Sequence, residues 1–199
     1  MNYLITGCAG FIGYSVTKKL LQKKNNIYGV DIINSYYSKN LKFDRLKELK
    51  KFNNFKFFRQ NCSQESFKKF FLRKNIDIVI HMAAEVGVRN SFFYPGRYYK
   101  NNIQSFYNIL EICRKTKAKL IYASSSSVYG NSKNMYFKES DHTSKPMSFY
   151  AATKKCNEVM AHAYSATCNL SITGVRFFNV YGPWGRPDMS IYKFSKAML

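Results

Sequence analysis

The run Tyr150-Ala151-Ala152-Thr153-Lys154 sets a phenol and an ammonium four positions apart, and Ser124-Ser125-Ser126-Ser127-Val128-Tyr129-Gly130 places a cluster of hydroxyls ahead of them. On a helix that spacing puts Tyr150 and Lys154 on one face, a turn from each other. A free phenol has a pKa of about 10 and is a poor base at neutral pH. A neighbouring ammonium favours the phenolate and draws that value down. An oxygen tuned in this way takes the proton of an alcohol while hydride leaves the same carbon, and a serine hydroxyl beside it can share or relay the proton. Taken alone the pair is a weak signal, because tyrosine and lysine meet at this spacing by chance on many exposed helices. Its weight depends on what the other elements bring to it.

The start of the chain would bring a dinucleotide. Tyr3-Leu4-Ile5-Thr6 reads as a short buried strand that runs into the turn Gly7-Cys8-Ala9-Gly10-Phe11-Ile12-Gly13. Val16, Leu20 and Leu21 then recur at helical spacing up to Lys23-Lys24-Asn25-Asn26, and Ile27-Tyr28-Gly29-Val30 reads as a second strand ending at Asp31. Strand, glycine turn, helix, strand and acid in this order describe a dinucleotide site. The glycines let backbone approach a pyrophosphate, whose charge sits at the helix N-terminus. Asp31 can accept from both ribose hydroxyls and would repel a 2′-phosphate, so NAD is expected rather than NADP.

The later elements continue the alternation. Residues 34–54 read as a lysine-rich helical excursion with Leu41, Leu46 and Leu49 on one side, and Phe55–Arg59 as a strand with Asn61 and Cys62 at its end, where an adenine contact falls. Ser63 is the expected cap of the next helix. Ile76–Ala84 reads as a strand whose small tip, Ala83-Ala84, admits a cofactor; His81 within it reads as packed core rather than a catalyst. A long helix is expected over Tyr98–Lys115, carrying Asn101 and Asn102, and strands over Leu120–Ala123 and Ile172–Phe178. The alternation implies an α/β fold, a doubly wound parallel sheet covered on both faces.

At 199 residues the chain can bury one sizeable core and hardly two. With 46% hydrophobic and 17% aromatic residues it is expected to fold. No apolar run approaches the ~18 residues of a membrane span, and Met1–Gly7 lacks the basic start of a signal peptide. Cys8, Cys62, Cys113, Cys156 and Cys168 are scattered, with no C-x-x-C spacing, which suits reduced thiols in a cytoplasm and argues against a disulfide frame or a zinc site. The net charge of +21 is carried by lysines dispersed along the whole chain rather than gathered in a binding motif. It reads as compositional bias, so neither nucleic acid nor a membrane is expected as a partner.

Taken together, these signals resemble the extended short-chain dehydrogenase/reductase family, in its nucleotide-sugar epimerase branch. The resemblance rests on Gly7-x-x-Gly10-x-x-Gly13, Asp31, His81-x-Ala83-Ala84, the Ser124–Gly130 run, Tyr150-x-x-x-Lys154 and Arg176-Phe177-Phe178-Asn179-Val180-Tyr181-Gly182-Pro183, and it runs from residue 2 to the last. Gly87-Val88-Arg89 and Tyr181-Gly182-Pro183-Trp184-Gly185-Arg186-Pro187-Asp188-Met189 are most similar to the UDP-glucuronate 4-epimerases of that branch.

The resemblance implies a Rossmann-like NAD-binding domain over residues 1–178 and the start of a truncated substrate-binding lobe over 179–199, ending in a helix cut short from Ile191. It implies Tyr150 as base, Lys154 on the nicotinamide ribose and Ser125 as proton relay. Around NAD it places Gly7, Gly10, Phe11, Ile12, Gly13, Asp31, Asn61, Cys62, Ala83, Ala84, Asn101 and Phe178, together with Tyr150 and Lys154. Around a UDP-sugar it places Ser125, Ser126, Ser127, Arg89, Asn179 and Arg186, and it implies no metal. Trp184 is open between packing and a role in the site, and Arg186 between the site and a solvated loop. The implied reaction passes hydride from C4 of the sugar to NAD and returns it to the other face of a 4-keto intermediate, turning UDP-glucuronate into UDP-galacturonate. A homodimer is implied for the full-length form.

The sequence also departs from that pattern. Ser126 and Ser127 stand where related dehydratases carry an Asp-Glu pair, so elimination of water lacks its acid and base. Asn61-Cys62 replaces an Asp followed by an aliphatic residue, Glu85 stands in place of a neutral amide, and Asn179 in place of a threonine. Another nucleotide-sugar epimerase or reductase, or an inactive NAD-binding remnant, are the alternative readings of the same residues. A basic nucleic-acid binder is the reading from a different class.

Overall fold

In the computed structural model, which describes residues 1–132 and 135–198, the short apolar runs become the strands of one parallel sheet. The chain passes through β1 (Asn2–Thr6), α1 (Phe11–Gln22), β2 (Asn26–Asp31), α2 (Lys39–Leu49), β3 (Phe55–Arg59), α3 (Glu65–Phe71) and β4 (Ile78–His81). It continues through two single turns, α4 (Asn90–Phe93) and α5 (Pro95–Tyr98), a π-helical segment (Tyr99–Gln104), α6 (Ser105–Thr116), β5 (Lys119–Ser125) and a 3-10 turn (Ser126–Tyr129). α7 (Phe149–Cys168), β6 (Ile172–Phe177) and α8 (Ser190–Met198) follow. The strand order is β3-β2-β1-β4-β5-β6, so this is the doubly wound Rossmann-like fold. The order reverses between β1 and β4, where Thr6 lies opposite both Val30 and His81. A crevice opens at the carboxyl ends of the strands at such a reversal.

Alternation along each strand feeds two cores, one on each face of the sheet. Leu4 and Leu120 point into the layer built by Phe67, Phe71, Phe106 and Ile109 of α3 and α6. Ile5 and Ile80 point into the layer built by Tyr14, Leu21, Leu46 and Leu49 of α1 and α2. Gly13 lets α1 seat on the turn before it, since a Cβ there would stand 2.1 Å from the Gly7 carbonyl oxygen. Gly7 has φ +71, a conformation that glycine adopts without strain.

Several elements differ from the sequence expectation. β4 spans only Ile78–His81, because residues 82–88 leave the sheet to line the crevice. The helix expected over Tyr98–Lys115 is broken at its start by the π-helical segment, which holds Asn101 and Asn102. Ser63 does not cap α3; its N–H and hydroxyl both donate to Asn61 Oδ1 at 2.9 Å, and Gln64 stands at the cap without a side-chain bond. α2 buries Lys42 and Arg45 beside Leu46 and Leu49, while Leu41 is only half-buried. The last strand ends one residue early, at Phe177, and the helix expected from Ile191 spans Ser190–Met198, with Leu199 outside the described residues.

A methyl group at Gly13 has no flexible side chain to displace, only the backbone of Gly7 and Cys8. Gly13→Ala should destabilise the fold by about 3 kcal/mol, the upper end for an overpacked site, and lower Tm by roughly 6–12 °C for a chain of this size. A thermal melt in which the variant stays within 2 °C of the parent would show that α1 does not sit as described.

Candidate active site

The crevice is a cleft of ≈ 440 Å³ that runs from the glycine turn, past the ends of β4 and β5, to the start of α7. At one end Gly10 N–H donates to Gly7 O at 2.9 Å, and α1 begins there with no side-chain cap and no acid in its first turn. Gly10, Phe11, Ile12 and Gly13 line the cleft, so the positive end of the helix dipole meets it uncompensated. Asp31, at the tip of β2, accepts from Ala9 N–H at 3.2 Å and from Ile33 N–H at 2.8 Å. Ile33 holds φ 53, an unusual and strained backbone for a β-branched residue, and from there the chain turns over the cleft edge. Uncapped helix, glycines and acid together suit a dinucleotide with its pyrophosphate at the helix N-terminus.

The other end gathers the groups of proton chemistry. Lys154 is 3% exposed and donates from Nζ to the Ala123 carbonyl at 2.9 Å, which pins α7 to β5. Burial draws its pKa down to about 8. Tyr150 lies on the same helix face, with its ring edge-on to Tyr98 at 6.2 Å. Burial raises the Tyr150 pKa, while a hydrogen bond with Ser125 and the charge of Arg186 pull it back. The groups that favour the phenolate in this structure are Ser125 and Arg186; Lys154, expected from the spacing to draw the phenol down, is bonded to Ala123 and keeps two donors. Ser125 is also the hub of the serine turn, its Oγ lying 3.2 Å from Ser127 Oγ and accepting from Ser127 N–H at 3.2 Å.

A second layer fixes these groups. Glu158, one turn beyond Lys154 on α7, accepts from Ser124 Oγ at 2.7 Å and from Arg176 Nε and Nη2 at 2.8 and 3.0 Å. Burial pushes the Glu158 carboxyl up, but the hydrogen bonds from Arg176 and Ser124 outweigh it and hold the pKa below the usual range. Across the cleft, Glu85 is paired with Arg97 at 2.8 Å and accepts from Asn101 Nδ2 at 3.1 Å. Asn102 clamps the Glu85 backbone on both sides and donates to Thr153 Oγ1 at 3.0 Å. Both asparagines sit in the π-helical segment, an irregularity common at functional sites.

The chain after β6 returns over the first half of the sheet. Trp184 packs on Tyr14 with ring centroids 5.5 Å apart, and its carbonyl accepts from Arg45. Arg45, fully buried, also donates to Ala9 O at 2.9 Å and Tyr37 Oη at 2.7 Å, so one guanidinium ties the glycine turn to the returning segment. Arg186 reaches the cleft, clasped by the Asp188 carboxylate, with Nε at 3.0 Å from Oδ1, and seated over the Tyr36 ring at 5.5 Å.

The structure brings to this one cleft Gly7, Gly10, Phe11, Ile12, Gly13, Asp31, Asn61, Cys62, Ala83, Ala84, Asn101, Ser125, Ser126, Ser127, Tyr150, Lys154, Phe178, Asn179 and Arg186. Arg89 is left out of it, exposed at the N-cap of α4. His81 is a core residue: Nδ1 lies 2.7 Å from Thr6 Oγ1, and burial, with the charge of Lys154, draws its pKa down to about 3. The sequence reading missed Lys42, Arg45, Glu158 and the grip of Arg176. The signal for the first two was their place on the same helical stripe as Leu46 and Leu49; for Glu158 it was the i+4 spacing from Lys154.

Residues 3–199 match the NAD dependent epimerase/dehydratase family. Among curated proteins, the chain is 50% identical over 201 residues to "Protein CapI" of Staphylococcus aureus, an alignment covering 100% of this chain and 60% of that protein. It is 41% identical over 201 residues to UDP-glucuronate 4-epimerase 2 of Arabidopsis thaliana, covering 100% of this chain and 46% of that one. Among solved structures it is similar to the UDP-glucuronic acid 4-epimerase from Bacillus cereus in complex with UDP-glucuronic acid and NAD. That match has a TM-score of 0.90 at 33% identity and covers 100% of this chain and 63% of that one. The chain thus spans less than two thirds of the length of these relatives.

The burial of Lys154 has a consequence for stability. With a folded pKa of about 8 against an ordinary 10.5, the folded state binds fewer protons than the unfolded chain between those values. Stability therefore rises with pH across pH 8 to 10.5, and below that window the full penalty, about 3 kcal/mol, is present. Lys154→Met should melt a few degrees above the parent at pH 7, with the difference shrinking as pH approaches 10.5. Paired melts along a pH series test this, and a difference that ignores pH would contradict it.

Proposed function

The chain belongs to the NAD dependent epimerase/dehydratase family, and from that footing we propose that it supplies the cofactor site and the acid–base groups of a nucleotide-sugar 4-epimerase. The reading is carried by one observation: Tyr150, Ser125 and Lys154 converge on the same cleft that the glycine turn and Asp31 line. NAD is the cofactor the family is named for, and Gly7, Gly10, Gly13, the uncapped start of α1 and Asp31 would hold it. When bound, it supplies the acceptor and donor of hydride.

The work of this chain is with protons and orientation. Tyr150 takes the proton of the sugar's C4 hydroxyl, and the Ser125 hydroxyl, bonded to it, holds the same oxygen and relays the proton. Its raised pKa means that the free phenol keeps its proton at neutral pH, so cationic groups must favour the base form. Arg186 already contributes. Lys154 would hold a ribose hydroxyl, with a donor free beyond its bond to Ala123. The two residues after Ser125 are hydroxyls rather than carboxylates, which leaves elimination of water without its acid and base and favours return of the proton to the same sugar.

As to the sugar, we infer that UDP-glucuronate is converted to UDP-galacturonate. Relatives 41–42% identical over this whole chain are named UDP-glucuronate 4-epimerases. The hydroxyls of Ser126 and Ser127 and the guanidinium of Arg186 line the cleft, where a uronate carboxylate would find donors and a positive charge. Residues 1–178 then form the cofactor domain, and residues from 179 onward begin the side that meets the nucleotide sugar.

In the protein that carries this sequence, Tyr150→Phe should lower conversion of UDP-glucuronate by about 10³-fold, within the range of a lost general base, while NAD binding is retained. Ser125→Ala should cost about tenfold in kcat by the loss of one hydrogen bond to the reacting oxygen. Assays run side by side on UDP-glucuronate, UDP-glucose and UDP-N-acetylglucosamine decide the sugar. Faster turnover of a neutral sugar would overturn the uronate assignment, and full activity in Tyr150→Phe would overturn the base.

A further inference from the structure

The guanidinium that lines the cleft is already paired. Arg186 donates from Nε to Asp188 Oδ1 at 3.0 Å and from Nη2 to Asp188 Oδ2 at 2.5 Å, so the two side chains meet fork to fork. Both line the cleft, and the contact is partly shielded, with 23% of the arginine and 31% of the aspartate side chain exposed. Burial pushes the Asp188 carboxyl up, but the hydrogen bond and charge of Arg186 outweigh it and hold its pKa below the usual range. Two-point contact is the geometry that a carboxylate on a ligand would itself take on an arginine. Asp188 thus occupies two of the five N–H donors, and the pair as a whole carries no net charge.

The pair is built into the wall of the cleft. The Tyr36 ring lies under the guanidinium, 5.5 Å from ring centroid to charge, and the Tyr36 hydroxyl is hydrogen-bonded to the Asp188 carboxylate. A Cβ on Gly87, which holds φ +95, would stand 2.6 Å from Tyr36 Oη, so the chain leaving β4 packs directly on that hydroxyl. One phenol therefore joins the segments that follow β2, β4 and β6. The other acids that line the cleft among the described residues are engaged elsewhere, Asp31 with Ala9 and Ile33 N–H, and Glu85 with Arg97 and Asn101. Asp188 is then the acid that sets how much of the Arg186 charge a ligand meets. A second carboxylate brought to Arg186 gains the donors that remain, but it also meets the like charge of Asp188. A neutral group meets no such repulsion.

We propose that Asp188 determines specificity in this cleft: its carboxylate offsets the charge of Arg186 and so weakens the preference for a sugar that carries a carboxylate over one that does not. This deepens the uronate reading of the cleft and rests on it. Discrimination between charged and neutral sugars is then set by a pair of side chains, and not by the arginine alone.

Equilibrium titration with UDP-glucuronate and UDP-glucose tests it, since the two differ at C6 in a carboxylate against a hydroxymethyl group. The titration uses the NAD-loaded protein that carries this sequence, in a Tyr150→Phe background so that neither ligand is converted. Asp188→Asn keeps the size of the side chain and an acceptor for Arg186 but removes the charge. It should move the ratio of the two affinities toward UDP-glucuronate by about tenfold, the scale of one like-charge repulsion at a partly solvated site, with the affinity for UDP-glucose unchanged. Asp188→Ala should move the ratio the same way, and covers the case in which the asparagine variant fails to fold. Asp188→Asn combined with Arg186→Gln should lose the gain. An aspartate that only braces the chain would, when replaced, weaken both ligands together. That result, an unchanged ratio, or a gain that survives Arg186→Gln would overturn the proposal and leave the uronate reading standing. A parent protein that binds neither nucleotide sugar would overturn the epimerase reading itself, and this inference with it.

Discussion

The bond from Lys154 to the Ala123 carbonyl is the constraint on which the acid–base groups depend. It is a charged donor buried with a backbone acceptor, and it fastens the second turn of α7 to the end of β5. Tyr150 stands one turn earlier on that helix and Ser125 two residues later on that strand, so a single anchor brings phenol and hydroxyl together. The penalty of burying the ammonium is accepted in place of better packing, which is common where function sets the side chain. Glu158 repeats the connection one turn further along, joining α7 to Ser124 and to Arg176 of β6. Three neighbouring elements are thereby held in register around one oxygen.

The dinucleotide end is arranged by a different means. There the backbone itself comes close: Gly13 allows α1 to sit on Gly7, and Asp31 is fixed by backbone N–H groups. Arg45 then ties the glycine turn to the segment carrying Trp184 and Arg186. The segment that follows β6 is thus braced by the glycine turn. Lys42, Arg45 and Lys154 are all buried, so the net charge of +21 is not wholly a matter of solvated surface, although most lysines lie there.

The parts legible in the sequence were those in which local pattern and tertiary structure agree. β1, the glycine turn, α1, β2 and Asp31 follow one another within a single supersecondary unit, and each signal supports the next. Legibility failed where tertiary contact overrides local preference. The π-helical segment at Tyr99–Gln104 is set by bonds from Asn101 and Asn102 to Glu85 and Thr153, none of which shows as periodicity. Arg45 is buried by the returning segment and Lys42 by Asn34 and Tyr37, contacts that the pattern of α2 alone does not show. The burial that raises the Tyr150 pKa is likewise invisible in a Tyr-x-x-x-Lys spacing.

The most direct measurement is the fate of the hydrogen at C4 of the sugar. UDP-glucuronate labelled with deuterium at C4 would be converted in ordinary water, and unlabelled substrate in heavy water, with both epimers read by NMR. Tyr150 as the base on the hydroxyl requires the C4 label to stay on C4 in both epimers, with no solvent deuterium entering any carbon. Loss of the label to solvent, or deuterium appearing at C5 beside the carboxylate, would mean that a carbon-bound proton is removed instead, and would contradict the role assigned to Tyr150, Ser125 and Lys154.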